Sequence, residues 1–270
     1  MIPAAFDYVR AGSMDEAVAL LASDEDAKLI AGGHSLLPMM KLRLAFPSML
    51  VDVRRLPGLS YVRVDGDEIA IGALTRHCDL LESDVLRAEA PLLAETASYV
   101  GDPQIRHRGT IGGSLSHADP AADLPTAVLA SDATLVAQGP GGRRSIAATD
   151  FFVDYFQTAL RPDEMLVEIR VPRTGPNGSH YAKFVRRAND WAIVAVATVA
   201  GRVALAGMAP TPSRASATEA ALASGASAAD AAALAAEGTR PVADLHADAD
   251  YRRHLAQVLT RRSLVAAGHR

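Results

Sequence analysis

Gly32-Gly33 and Gly112-Gly113 stand 80 positions apart, the first inside Leu29-Ile30-Ala31-Gly32-Gly33-His34-Ser35-Leu36 and the second inside Thr110-Ile111-Gly112-Gly113-Ser114. Glycine lets backbone N–H groups approach an anion with no Cβ in the way, and a helix start behind it adds free donors and partial positive charge. The chemistry of such a segment is phosphate binding. The two pairs read as halves of one cradle that a pyrophosphate fits.

The other reactive side chains are weighed against that reading. Ser35, Ser114 and Ser116 lie in no Gly-x-Ser-x-Gly elbow, so their hydroxyls read as phosphate ligands or helix caps. His34, His77, His107 and His117 lack the short helical or hairpin spacing of a metal pair and read as loop or surface residues. Cys78 has no placed base and reads as a packing residue. As the only cysteine, it excludes an internal disulfide and any iron–sulfur cluster held by four cysteines of this chain. Trp191, the only tryptophan, follows the charged turn Arg186-Arg187-Ala188-Asn189-Asp190 and is either an aromatic anchor of a C-terminal core or a contact for a planar ligand. Lys183, two residues beyond Tyr181 on one strand face, is either a solvated charge or a group meeting a cofactor between domains. No residue is assigned a catalytic or metal-binding role.

The elements that must position these residues follow from period and punctuation. Ser13-Met14-Asp15-Glu16 has capping-box spacing, so the chain is expected to start with a helix. Lys28 to Ala31 reads as a strand, Ser35 to Leu44 as a helix and Met49 to Val53 as a buried strand, a βαβ unit whose crossover helix begins at the first glycine pair. From Leu59 to Pro172 strands and helices mix: Glu68 to Gly72 alternates, Pro91 to Ala97 is helical, and Ala133 to Ala137 enters a hairpin through Gly139-Pro140-Gly141-Gly142. After the strand Leu166 to Pro172, the polar run Arg173 to Ser179 marks the best domain boundary. Beyond it, Tyr181 to Arg187, Ala192 to Ala200 and Arg202 to Ala209 read as three strands. The alanine-rich Ser213 to Glu237 reads as a helical pair with a small-residue interface, and Tyr251 to Leu259 as a further helix.

Composition sets the outer limits. A chain of 270 residues, 49% of them hydrophobic, can bury a sizeable core as two compact units. A net charge of −4 without a lysine or arginine block leaves no footprint for nucleic acid. The N-terminal residues lack a basic segment followed by an apolar core, and no apolar run reaches membrane-spanning length, which points to the cytoplasm, including the inner face of a membrane.

Ala31-Gly32-Gly33-His34-Ser35-Leu36-Leu37-Pro38 with Met40-Lys41-Leu42-Arg43-Leu44, and Asp102-Pro103-Gln104-Ile105-Arg106 leading to Thr110-Ile111-Gly112-Gly113, resemble the FAD-binding medium subunits of molybdenum hydroxylases, aerobic carbon monoxide dehydrogenases among them. The resemblance runs end to end, from Ile2-Pro3 and Phe6-Asp7-Tyr8 to the closing Tyr251-Arg252 helix. It implies an α+β chain: an FAD-binding domain of the vanillyl-alcohol-oxidase (PCMH) type over residues 1–174, in subdomains of about 1–56 and 57–174. A C-terminal flavoprotein domain over 178–270, with a three-stranded antiparallel sheet and helices, would follow. It also implies that Ala31, Gly32, Gly33, His34, Ser35, Leu36, Thr110, Ile111, Gly112, Gly113 and Ser114 hold the pyrophosphate and adenosine part of FAD. Asp119 joins the same site, Asp123 takes a ribose or adenine contact, Leu166 and Lys183 are further contacts, and Trp191 lies beside the isoalloxazine ring.

The partners implied are an iron–sulfur small subunit carrying [2Fe-2S] clusters and a large subunit carrying the molybdenum cofactor, assembled as a dimer of heterotrimers with an external acceptor such as a quinone or NAD. Substrate, expected to be carbon monoxide, would be oxidised on the large subunit. Ser114 stands where many members have asparagine, which leaves the backbone cradle intact. Many members have glutamine at the position of His34, and histidine there is the form associated with the carbon monoxide branch. The alternatives are a self-sufficient FAD-dependent reductase or oxidase, which needs an acid or base over the flavin, and a flavin-free scaffold subunit.

Overall fold

The computed structural model describes residues 2–270. The first unit runs β1 (Asp7–Arg10), α1 (Met14–Ser23), β2 (Lys28–Ile30), α2 (Leu36–Lys41) and β3 (Met49–Asp52). Its strands form a parallel sheet in the order β1-β3-β2, so the β2-α2-β3 crossover is the expected one. The expectation of a leading helix is corrected, because β1 precedes α1 and pairs with β3 from Asp7 opposite Met49 to Arg10 opposite Asp52. Those four residues are mostly exposed and carry no alternation; the edge of β3 makes them a strand. Ser13 caps α1 through the Glu16 amide, while the Glu16 carboxylate takes the Gly12 amide rather than that of Ser13.

The second unit continues with β4 (Val62–Asp65), β5 (Glu68–Gly72), α3 (His77–Glu82), α4 (Asp84–Glu89), α5 (Pro91–Ser98), α6 (Pro103–Arg106), α7 (Ile111–His117) and α8 (Asp123–Ala130). It is completed by β6 (Thr134–Gly139), β7 (Gly142–Ala147), α9 (Ala148–Phe151), β8 (Phe152–Asp154), β9 (Gln157–Thr158) and β10 (Met165–Pro172). Five of these strands form an antiparallel sheet, β4-β5-β10-β6-β7, and β8 and β9 form a separate small hairpin. The β6–β7 hairpin closes with Gly139 opposite Gly142, as the turn residues dictate. Met165, Val167 and Val136 of this sheet pack against Val18, Leu21 and Val51 of the first unit, which fixes the two units to one another.

The third unit holds β11 (Ser179–Phe184), β12 (Val194–Val199), β13 (Arg202–Ala206), β14 (Ser213–Arg214), α10 (Ser216–Ala223), α11 (Ala228–Ala233) and α12 (Ala249–Ala266). The antiparallel sheet has four strands, not three. The added β14 pairs only Ser213 with Leu205 and Arg214 with Ala204, and two residues behind Pro212 are too few for a period of two to register. All six residues of β12 are buried because its pleat sends alternate side chains to two cores. Val194 and Val196 meet α12 and Leu205, while Ala195, Ala197 and Val199 join Ala204 and Ala206 in the core shared with α5 and α8. Alanines on that face let α8 of the second unit lie close to the third unit's sheet. Among the described residues no helix is long and apolar enough to cross a membrane.

Candidate functional site

The ladder of the first unit ends where Val53 donates to Ile30 O, and the chain then turns through Gly33 at φ +76° into α2. That φ is the left-handed region in which glycine carries no steric penalty. Leu37 donates to Gly33 O, but the amides of residues 32 to 36 find no acceptor among the described residues. Amides left free of protein acceptors at a turn into a helix are the kind of donors an anion can take.

The second glycine segment is different. Ile111 donates to Thr75 O, Gly112 to Ala73 O, Gly113 to Thr110 Oγ1 at 3.1 Å and Ser114 to Thr110 O. Thr110 thereby caps α7 and uses up the donors that a bare helix start would offer. The two halves of the expected cradle differ: the first segment supplies free donors, and the second, its amides already paired, supplies a wall. A β-carbon on Gly112 would lie 2.6 Å from the Ala73 β-carbon, so that glycine serves the packing of α7 against the chain following β5.

The two segments enclose a cavity of about 710 Å³, within the usual range for a cofactor site. Ala31, Gly32, Gly33, His34, Ser35, Leu36, Thr110, Gly112, Gly113, Ser114, Asp123, Leu166 and Trp191 line it. Three of the residues expected at the cofactor lie off its wall. Ile111 is wholly buried in the core and Asp119 faces a smaller neighbouring cavity of about 430 Å³. Lys183 points to Asp123, its Nζ 2.9 Å from that carboxylate and 3.2 Å from Tyr99 O. Trp191, 59% exposed, borders both cavities, so its place is the rim rather than the C-terminal core.

Asp123, at the start of α8, is the buried carboxylate of the wall. Burial pushes its pKa up; the Lys183 ammonium and the Tyr181 hydroxyl, 2.7 Å from Oδ1, oppose that by favouring the charged form. Tyr181 is fully buried and its own pKa is pushed well above the ordinary value, first by burial and then by Asp123, so it remains a donor.

Sequence reasoning missed His77 and Phe156. The expectation that the four histidines are loop or surface residues fails at His77, which is 4% exposed, opens α3 and lines the cavity beside Gly109. Burial, with His34 and Arg106 acting in the same direction, lowers its pKa to about 4, and its Nδ1 has no partner. Phe156 lines the cavity at φ +54°, its ring 5.1 Å from that of His117, whose pKa burial lowers. Only the folding of distant segments onto one another brings these side chains to the wall, so no local spacing announces them. Cys78 is buried with its thiol pKa pushed up, as a packing residue should be.

These residues fit a dinucleotide. The unsatisfied amides of 32 to 36 suit a pyrophosphate, Asp123 retains acceptor capacity for a hydroxyl or amino group, and Met39, Leu74, Val100, Ile105 and Leu166 offer apolar wall to planar rings.

Residues 4–174 match the family described as FAD binding domain in molybdopterin dehydrogenase, and residues 179–267 match the CO dehydrogenase flavoprotein C-terminal domain. The chain is 42% identical to the carbon monoxide dehydrogenase medium chain of Hydrogenophaga pseudoflava, over 99% of this chain and 98% of that one. It is 41% identical to the 6-hydroxypseudooxynicotine dehydrogenase complex subunit alpha of Paenarthrobacter nicotinovorans, over 100% of this chain and 97% of that one. Among solved structures, a chain of the Hydrogenophaga pseudoflava carbon monoxide dehydrogenase lacking the Mo-pyranopterin moiety superposes with a TM-score of 0.94 at 44% identity, covering 99% of this chain and 98% of that one.

Proposed function

The chain belongs to the family of FAD-binding medium subunits of molybdenum hydroxylases, and from that premise we propose that it is the electron relay of a heterotrimeric complex. FAD, its cofactor, supplies the ability to collect single electrons and deliver them as a pair. The chain takes electrons from an iron–sulfur small subunit after a molybdenum large subunit has oxidised substrate, and delivers them to an external acceptor. The complex assembles as a dimer of heterotrimers in the cytoplasm. Carbon monoxide is the proposed substrate, supported by His34 in the first glycine segment and by the identity to the carbon monoxide dehydrogenase medium chain.

The observation that carries the reading is the row of unsatisfied amides at 32 to 36 beside the cavity. Those amides would bind the pyrophosphate, with His34 and Ser35 in the same turn. Thr110 and its capped helix would form a further wall of the site. Asp123 would orient the adenosine end through a hydroxyl or amino group, and Trp191 at the rim would flank the ring system where a partner protein or acceptor approaches. The chain thus binds, orients and shields the cofactor, and no protein acid or base is required of it.

The test is an absorption spectrum of the natively purified protein with everything that co-purifies, followed by acid release of flavin and an assay of dye reduction by carbon monoxide. FAD, iron–sulfur absorption and two further chains are expected, with dye reduced by carbon monoxide. A colourless protein that fails to take up added FAD overturns the relay reading. A coloured complex inert to carbon monoxide but active on an aldehyde or N-heterocycle overturns only the substrate.

A further inference from the structure

Asp123 belongs to α8 of the second unit, yet the side chains that hold its carboxylate come from β11 of the third. Tyr181 Oη donates to Oδ1 at 2.7 Å and Lys183 Nζ sits 2.9 Å from the carboxylate. All three side chains are almost fully out of water: Asp123 is 4% exposed, Tyr181 0%, and the Lys183 side chain 4%. The two donors are in turn fixed. Tyr181 meets the Tyr99 ring edge-on at 5.3 Å, its backbone amide donates to Glu95 Oε2, and Lys183 also donates to Tyr99 O. Glu95 is further held by His180 Nδ1 at 2.8 Å.

A carboxylate has about four acceptor positions, and these two donors leave the remainder for the cavity that Asp123 lines. A buried carboxylate free to rotate or to take up a proton would be a poor acceptor for a ligand hydroxyl. One tied on two sides by donors that favour its charged form is preorganised for it.

We propose that Tyr181 and Lys183 are positioning residues for cofactor binding that act through Asp123, so that the third unit sets the affinity of a cavity whose wall lies mainly in the other two. This rests on the FAD reading above and differs from the resemblance, which implied direct cofactor contact for Lys183.

The experiment titrates FAD into the full-length, flavin-stripped chain and follows flavin fluorescence, for wild type, Tyr181→Phe, Asp123→Ala/Lys183→Met and the triple variant. Removing both charges of the pair together leaves no unpaired buried charge, and Phe keeps the Tyr181 ring. Thermal melts of each stripped protein run alongside. Tyr181→Phe is expected to weaken FAD binding about tenfold in the wild-type background, the low end of the range known for groups that orient metal ligands, and less than about twofold where Asp123 and Lys183 are absent. A merely structural hydroxyl would lower both melting temperatures and leave the coupling at zero. Equal weakening in both backgrounds, or none in the first, overturns the proposal. A wild-type chain that takes up no FAD overturns the function itself, an outcome distinct from any pattern among the variants.

Discussion

The backbone carbonyl of Arg108 occupies the space beside Gly32 in which any other residue would carry its side chain: a β-carbon there would lie 2.3 Å from that oxygen and 2.9 Å from Gly109 Cα. The two glycine segments therefore touch, and Gly32 is required by protein meeting protein rather than by clearance for a phosphate. Backbone cannot swing aside as a side-chain tip can. Gly32→Ala is expected to cost about 2–3 kcal/mol, the upper part of the range for overpacking, and to lower flavin content as a consequence. Denaturant melts of the stripped protein check the first part; wild-type stability would remove the closure argument.

Gly33 answers to a different force. Its φ of +76° disfavours a side chain, but a β-carbon there would meet first the flexible end of Leu37, at 3.0 Å. Gly33→Ala is expected to cost about 1–2 kcal/mol, the left-handed penalty. Gly33→Asp adds a negative charge among the free amides and is expected to abolish FAD retention while the fold survives. Flavin content measured beside far-ultraviolet dichroism separates the two effects, and unchanged flavin in that variant would eliminate the donor row as the phosphate site.

Trp191 is over half exposed on the rim between the two cavities. Trp191→Ala is expected to change stability by less than about 0.5 kcal/mol, as exposed positions do, and to leave flavin content near wild type. The visible spectrum of the bound flavin and the rate of dye reduction are expected to change. Identical spectra and rates would assign the indole to the surface alone.

His77 makes a signed prediction about acid. Burial lowers its folded pKa to about 4 from an ordinary value of 6.5, so between those limits the unfolded chain binds more protons. The contribution of neutral His77 is whole above about pH 6.5, declines as pH falls toward 4, and amounts to about 3 kcal/mol. His117, also lowered by burial, acts in the same direction, whereas Glu95 and Asp123, raised by burial, oppose it. Stripped His77→Phe is therefore expected to lose stability less steeply than wild type between pH 6.5 and 4, and parallel curves would refute the assignment. At lower pH Asp52 takes over. Burial pushes its carboxyl up, but hydrogen bonds from Arg54 and Tyr8 outweigh this and hold it well below the usual carboxylate range. Its stabilisation is lost as pH falls below about 4 in both proteins.

Much of this was legible in the chain alone. Glycine pairs, a capping serine, the Gly139 to Gly142 turn and the periods of β5, β10 and β12 are local signals, because φ restrictions, caps and pleats act over a few residues. Together with the family resemblance they determined the α+β class, the order of the units and FAD as cofactor, and they named 13 of the residues that line the cavity. The leading strand β1 and the two-residue β14 were not legible, since each becomes a strand only by hydrogen bonding to an edge already formed.

The division of labour at the site also belonged to tertiary structure. Which amides stay free at residues 32 to 36 depends on whether a carbonyl from elsewhere reaches them, and Ala73 O and Thr75 O reach only the second segment. Likewise Lys183 and Tyr181 face Asp123, and His77 is stripped of water, only because segments far apart in sequence pack together. Hydrogen-bond satisfaction and desolvation are properties of neighbours in space. A sequence states which groups can donate, accept or ionise, and the fold decides which of them are left to do so for a ligand.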